Sequence, residues 1–119
     1  MAARIFDKQR GVLNTSGLTS TILDISIPNN TSVGFIAKII AKDIDANIGA
    51  MFHQVGSISN NGGVVALDNT VALLASVLNA SLATATAVFT ANSTNLRLTV
   101  TGIALKNIDW QYEIEVIYN

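Results

Sequence analysis

Few side chains in this sequence are able to carry chemistry, so their spacing matters more than their number. His53, the one histidine, lies in "MFHQV", where it alternates with Phe52. That is the setting of a surface or interface residue on a strand, not of a base held by partners. Serines are many, yet none sits in a Gly-x-Ser-x-Gly elbow, and no glycine-rich phosphate loop is present. Asp43, Asp45 and Asn47 occupy alternate positions of "DIDANIG", a spacing at which oxygen donors can converge on calcium. The rest of that pattern fails: glycine arrives at Gly49, one place late for an EF-hand turn, and Gln54 stands where the bidentate glutamate belongs. A solvated turn accounts for Asp, Asn and Gly equally well. Glu113 and Glu115 are two residues apart, so a strand points both to one side, and a carboxylate pair for glycoside hydrolysis is conceivable. A polar outer face that discourages edge pairing is the better reading. No catalytic residue, cofactor or metal site is assigned, and the expectation is that the protein is not an enzyme.

Composition narrows the remaining classes. Half of the 119 residues are hydrophobic and 13% are charged, against roughly 25% charged in an ordinary soluble domain. Such a chain cannot cover its own surface well with charge, which implies apolar area covered by further copies or a partner. A net charge of −1 sets up no field that would draw nucleic acid or anionic lipid. Cysteine is absent, so stability must come from packing. The beginning, "MAARIFDKQRGVLNTSG", mixes charges into its first ten residues and lacks the apolar segment of a signal peptide. It reads as an N-terminal arm over residues 1–18, of an intracellularly made protein, with one domain over 19–119.

The positioning elements are strands. In "IDWQYEIEVIYN", Trp110, Tyr112, Ile114, Val116 and Tyr118 fall on one face, with Gln111, Glu113 and Glu115 on the other. "NLRLTVTG" repeats the alternation with Leu96, Leu98 and Val100 inward, and Gly102 ends it. "STILDISIPNN" sets Leu23, Ile25 and Ile27 against Asp24 and Ser26 before Pro28 stops the strand. "SVGFIAKIIAKD" favours a strand, although its length would also permit a short helix. "AMFHQVGSI" reads as another strand, reversed at Asn61-Gly62.

The uncharged run from Asn69 to Leu96 contains "VALLASVLNASLATATAVFTA", long enough to raise the question of a membrane span. Its threonines, serines and Asn79, and flanks without a Lys/Arg cluster or aromatic belt, argue against one. Thr70 to Leu78 and Leu82 to Ala91 are expected as two strands joined at Asn79 and Ser81. A helix stays open for the first, because Val71, Leu74, Leu78 and Leu82 also share a helical face and Asp68 could cap it. Six to eight short strands in this length predict an all-β, antiparallel β-sandwich of jelly-roll-like kind.

The C-terminal "LRLTVTGIALKNIDWQYEIEVIYN" resembles the ending of small β-sandwich virion proteins and modules of tailed bacteriophages: a strand closing in Val-Thr-Gly, a short loop, then an Ile-x-Trp strand. "TSTILDISIPNNTSVGFIAKIIAKD" is similar to the opening of the same modules. The resemblance implies a virion structural protein, above all a capsid decoration or cement protein. Such a protein is typically a homotrimer, placed on the outer capsid surface with the major capsid protein as partner. A tail fibre or adhesin domain for host attachment is the alternative. For such a clamp Arg4, Ile5, Phe6, Lys8 and Arg10 are the expected partner contacts, since charges flanking Ile5 and Phe6 suit an anchor that docks. The Asp7 between them makes a nucleic-acid patch a poor reading.

Overall fold

Alternation along the chain becomes two layers of sheet. The computed structural model describes residues 3–14 and 18–119, with side chains for 18–69 and 77–119. Among them run eight strands: β1 (Ala3–Asn14), β2 (Thr19–Ser26), β3 (Thr31–Asp43), β4 (Ile48–Asn61), β5 (Val64–Leu78), β6 (Thr86–Asn92), β7 (Asn95–Thr101) and β8 (Ile108–Tyr118). All pairings are antiparallel. A five-stranded sheet in the order β1-β8-β3-β4-β5 packs on a three-stranded sheet β2-β7-β6. The pairs β1–β8, β3–β8 and β2–β7 follow jelly-roll order, whereas the hairpins β3–β4–β5 all remain in the larger sheet.

The core lies between the sheets. Val33, Phe35, Ala37, Ile39 and Ala41 of β3 point inward, as do Ile108, Trp110, Tyr112, Ile114 and Val116 of β8. Leu96, Leu98 and Val100 of β7 and Ala87 and Phe89 of β6 meet them from the other side. Phe35 and Phe89 touch across the gap with ring centroids 4.7 Å apart. Small residues make room for large ones. Trp110 stands beside Ala41, which in turn pairs with Ala50, so the indole fills the space that two alanines leave in its row. Its ring stacks on Phe52 at 6.2 Å. The indole N–H finds no acceptor among the described residues, which offsets the gain from burying the ring by about 1–3 kcal/mol.

Local chemistry sets the turns. Gly62 and Gly63 both have positive φ, and Asn61 pairs with Val64 across them, so a two-residue hairpin reverses the chain there. Buried Asn60 fixes that hairpin to the neighbouring loop: its amide donates to the Ile27 carbonyl at 2.8 Å and its oxygen accepts from Gly63 N–H at 2.9 Å. In β2 the pairing shifts between Thr21 and Leu23. This bulge turns Ile22 inward together with Leu23, which strict alternation cannot show.

The run that raised the membrane question is divided by one turn. Val64–Leu78 is a strand, so the helical alternative for residues 70–78 is not adopted. Among the described residues no helix is long and apolar enough to cross a membrane. The strand expected from Leu82 is corrected: Ala80–Leu82 forms a 3-10 turn, and β6 begins only at Thr86. The Asn79 side chain accepts from both the N–H and the hydroxyl of Ser81, and Leu82 drops fully into the core. That capping overrides the Thr/Ala alternation locally.

Trp110 is the sole tryptophan and is completely buried. Trp110→Ala is expected to lower the unfolding free energy by about 3–5 kcal/mol, the range for emptying a large aromatic site. Urea titration monitored by far-UV circular dichroism measures this; a loss below about 1 kcal/mol would contradict the packing described.

Candidate functional site

The residues singled out by type sort onto two outward faces and one loop cluster. Register places directly opposed residues on the same face of a sheet. On the outer face of the large sheet, Glu113 stands opposite Lys38, which stands opposite His53. Glu115 lies two residues along β8, opposite Ile36. A cation and an apolar residue of β3 therefore stand opposite the two carboxylates, and among the described residues of β3 no acid stands opposite Glu113. His53 has neither a carboxylate nor a hydroxyl directly opposite it on β3.

The segment expected to be an arm runs along β8 as the edge strand β1. Arg4 lies opposite Ile117, Ile5 opposite Val116, Phe6 opposite Glu115 and Lys8 opposite Glu113, while Arg10 falls where the pairing skips from Gln9 to Val12. Contacts of the side chains of Arg4, Ile5, Phe6, Lys8 and Arg10 lie outside the described residues. Their backbone positions place them along one edge of the large sheet.

Asp43, at the end of β3, is buried. One of its carboxylate oxygens accepts from the N–H groups of Asp45 and Ala46 at 3.1 and 3.3 Å. The other lies 3.6 Å from Lys106 Nζ. Asp45 in turn accepts from the Asn107 amide at 2.8 Å, and Ile44 N–H donates to the Asn107 carbonyl at 2.9 Å. Asn47, whose φ is 54°, closes the turn by donating its N–H to the Asp43 carbonyl. The donors are thus spent on tying the β3–β4 turn to the loop before β8. Among the described residues no group of three or more His, Cys, Asp or Glu is placed to hold a metal ion.

The outer face of the small sheet is polar. Thr19, Thr101 and Thr86 form one cross-strand row, and Asp24, Arg97 and Thr90 another. Arg97 binds Asp24 with two hydrogen bonds of 2.9 and 3.0 Å, and this carboxylate contact raises the guanidinium pKa further. Sugar recognition commonly stacks rings on exposed aromatics. Here Phe35, Phe52, Phe89, Trp110 and Tyr112 are all buried, and only Tyr118 among the described aromatics is partly exposed. Partial burial raises its hydroxyl pKa.

No family model matches the sequence, and no curated protein matches it. Solved structures do. The chain is similar to the tailspike protein gp49 of Acinetobacter baumannii bacteriophage Fri1, a capsular polysaccharide depolymerase, with a TM-score of 0.51 and 10% identity over 96% of this chain and 17% of that one. It is also similar to the tailspike protein of Acinetobacter phage vB_ApiP_P1, with a TM-score of 0.48 and 12% identity over 92% of this chain and 20% of that one. A third is the tailspike protein of Acinetobacter baumannii phage AM24, with a TM-score of 0.44 and 11% identity over 97% and 26% of the two chains. At such identity the first match shows the fold alone: an antiparallel β fold of this kind occurs within a phage tailspike. The chain spans about a fifth or a quarter of the length of the tailspikes it matches.

One expectation is overturned by this match. The expectation that the protein is not an enzyme does not stand, because the first of these tailspikes is a depolymerase. Side chains absent from one small β domain say nothing about the catalysis of a protein that contains such a domain, so that reading is withdrawn.

The Asp43 cluster yields a direct test. Asp43→Ala leaves two N–H groups without their acceptor and removes the partner of Lys106; a loss of about 1–3 kcal/mol is expected. Asp43→Asn keeps an acceptor oxygen and is expected to lose less than half as much. Equal losses in chemical denaturation would show that the ion pair, and not the turn, dominates.

Proposed function

We propose that this chain is a β-sandwich module of a bacteriophage tail attachment protein, a tailspike or adhesin that engages polysaccharide at the surface of the host cell. The observation carrying this reading is the likeness of nearly the whole chain, 96% of it, to part of a tailspike that is a capsular polysaccharide depolymerase. Burial of every aromatic among the described residues except the partly exposed Tyr118 supports a supporting role for the module, with sugar contacts made jointly with other parts of the assembly. The reading moves the chain from the capsid surface, and from the major capsid protein as partner, to the tail. Capsid decoration rests only on the resemblance of strand motifs.

Immunogold imaging of the particles that contain this chain tests the reading. Label confined to the tail is expected; label spread over the head overturns it in favour of capsid decoration. In parallel, antibody against this chain is expected to block adsorption of particles to encapsulated cells, measured as free plaque-forming units.

A further inference from the structure

The hairpin tip between β4 and β5 carries two residues able to react with each other without an enzyme. Of the twelve asparagines in the sequence, Asn61 alone is followed by glycine. A glycine nitrogen has no Cβ beside it to hinder its approach to the preceding side chain. Elsewhere the following residue is bulkier: Asn47 and Asn107 precede isoleucine, and Asn14, Asn30 and Asn69 precede threonine.

The fold sharpens that preference. Asn61, Gly62 and Gly63 are all exposed, so water reaches the three of them. Among the described residues no side-chain hydrogen bond holds Asn61. Other asparagines are held: Asn60 is buried and bonded at both ends of its amide, Asn29 accepts from the N–H groups of Asn30 and Gly63, and Asn79 accepts from Ser81. Gly62 N–H, the attacking group, makes a bond of 3.3 Å to Asn30 Oδ1, longer than an ordinary N–H···O bond. Ring closure takes Asn61 out of its extended backbone conformation. Only the closing Asn61–Val64 pair has to open for this, and a terminal pair at an exposed tip frays at little cost.

We propose that Asn61 is a site of spontaneous deamidation with Gly62 as nucleophile, and that its isoaspartate product loosens the hairpin. The Gly62 nitrogen bonds to the Asn61 side-chain carbonyl carbon, the Cγ–Nδ2 bond breaks, and the proton lost from Gly62 departs with the amide as ammonia. A five-membered imide results. Water then opens it at either carbonyl: at Cγ it gives aspartate, and at the main-chain carbon it gives isoaspartate, with the chain running on through the side chain. Nothing is oxidised or reduced. The isoaspartate route adds one carbon to the main chain between Asn61 Cα and Gly62 N, and it turns the main-chain carbonyl of the closing pair into a free carboxylate. Gly62 and Gly63 are thereby shifted from Asn30 and Asn29, whose amides clip this hairpin to the loop between β2 and β3. Those amides are uncharged, so the new carboxylate finds no cation in the clip.

Incubation of the full chain in mildly alkaline buffer, followed by peptide mapping with electron-transfer fragmentation to separate aspartate from isoaspartate, tests this. A gain of about 1 Da is expected at Asn61 before any other asparagine, faster as pH rises because the attacking nitrogen must lose its proton. Asn61→Gln, whose longer side chain closes such a ring far more slowly, is expected to abolish the gain at this position over the same period. The isoaspartate fraction, isolated by anion exchange, is expected to unfold at lower urea than fresh protein. Three results overturn the inference: another asparagine reacting ahead of Asn61, a folded chain that stays intact while the urea-unfolded chain reacts at Asn61, or an isoaspartate fraction with an unchanged urea midpoint. Should Asn61→Gln fail to fold, the map of the unaltered chain decides by itself.

Discussion

β8 lies between β1 and β3, bonded to both, and its register with β3 is unbroken from Ile108–Asp43 to Tyr118–Val33. A slip of one residue would turn Trp110, Tyr112, Ile114 and Val116 out to water and bring Asp109, Gln111, Glu113 and Glu115 into the core. Each large side chain exposed forfeits about 1.5–3 kcal/mol, and each carboxylate buried without a partner costs more. The register is therefore the constraint on which the rest depends. It fixes which residues of β3 face inward, β3 then fixes β4 through thirteen paired positions from Thr31–Asn60 to Asp43–Ile48, and the inner surface so formed is the floor on which the small sheet rests.

The second determinant is size. Ala37, Ala41, Ala50, Ala85 and Ala87 line the interior together with Trp110, Phe35, Phe52 and Phe89. Small residues beside large ones let two sheets approach with few voids, and close-packed interiors reward such interdigitation. Polar groups that must be inside are tied. Asn60 bonds the Ile27 carbonyl and Asp43 bonds two backbone N–H groups, so both serve as clips between loops.

What is left outside carries the functional argument. The small sheet presents mainly threonines and one arginine–aspartate pair, with Val88 as its exposed apolar residue. The large sheet presents isoleucines and a methionine among lysines and glutamates, a more apolar face.

Much of this was determined by the sequence by itself. Period-two alternation in "IDWQYEIEVIYN" and "NLRLTVT" assigned both the strands and their inward faces, because a strand's geometry is local, while "SVGFIAKIIAKD" favoured a strand with a short helix left open. Asn61-Gly62 announced a reversal for the same reason. The sequence was silent where nonlocal contacts decide. Residues 3–14 lie along β8 as a strand because β8 has a free edge, which no property of "ARIFDKQRGVLN" reveals. The 3-10 turn at Ala80–Leu82 wins over alternation because Leu82 reaches the core, and the bulge in β2 exists because Ile22 and Leu23 both do. Asp43 shares an alternate spacing with Asp45 and Asn47 that a solvated turn explains as well as calcium would, and the fold brings Lys106, sixty-three positions away, to its side. The rows that set Ile117 beside Gly34 and Glu113 beside Lys38 join residues more than seventy positions apart, and only the closing of the sheet places them together.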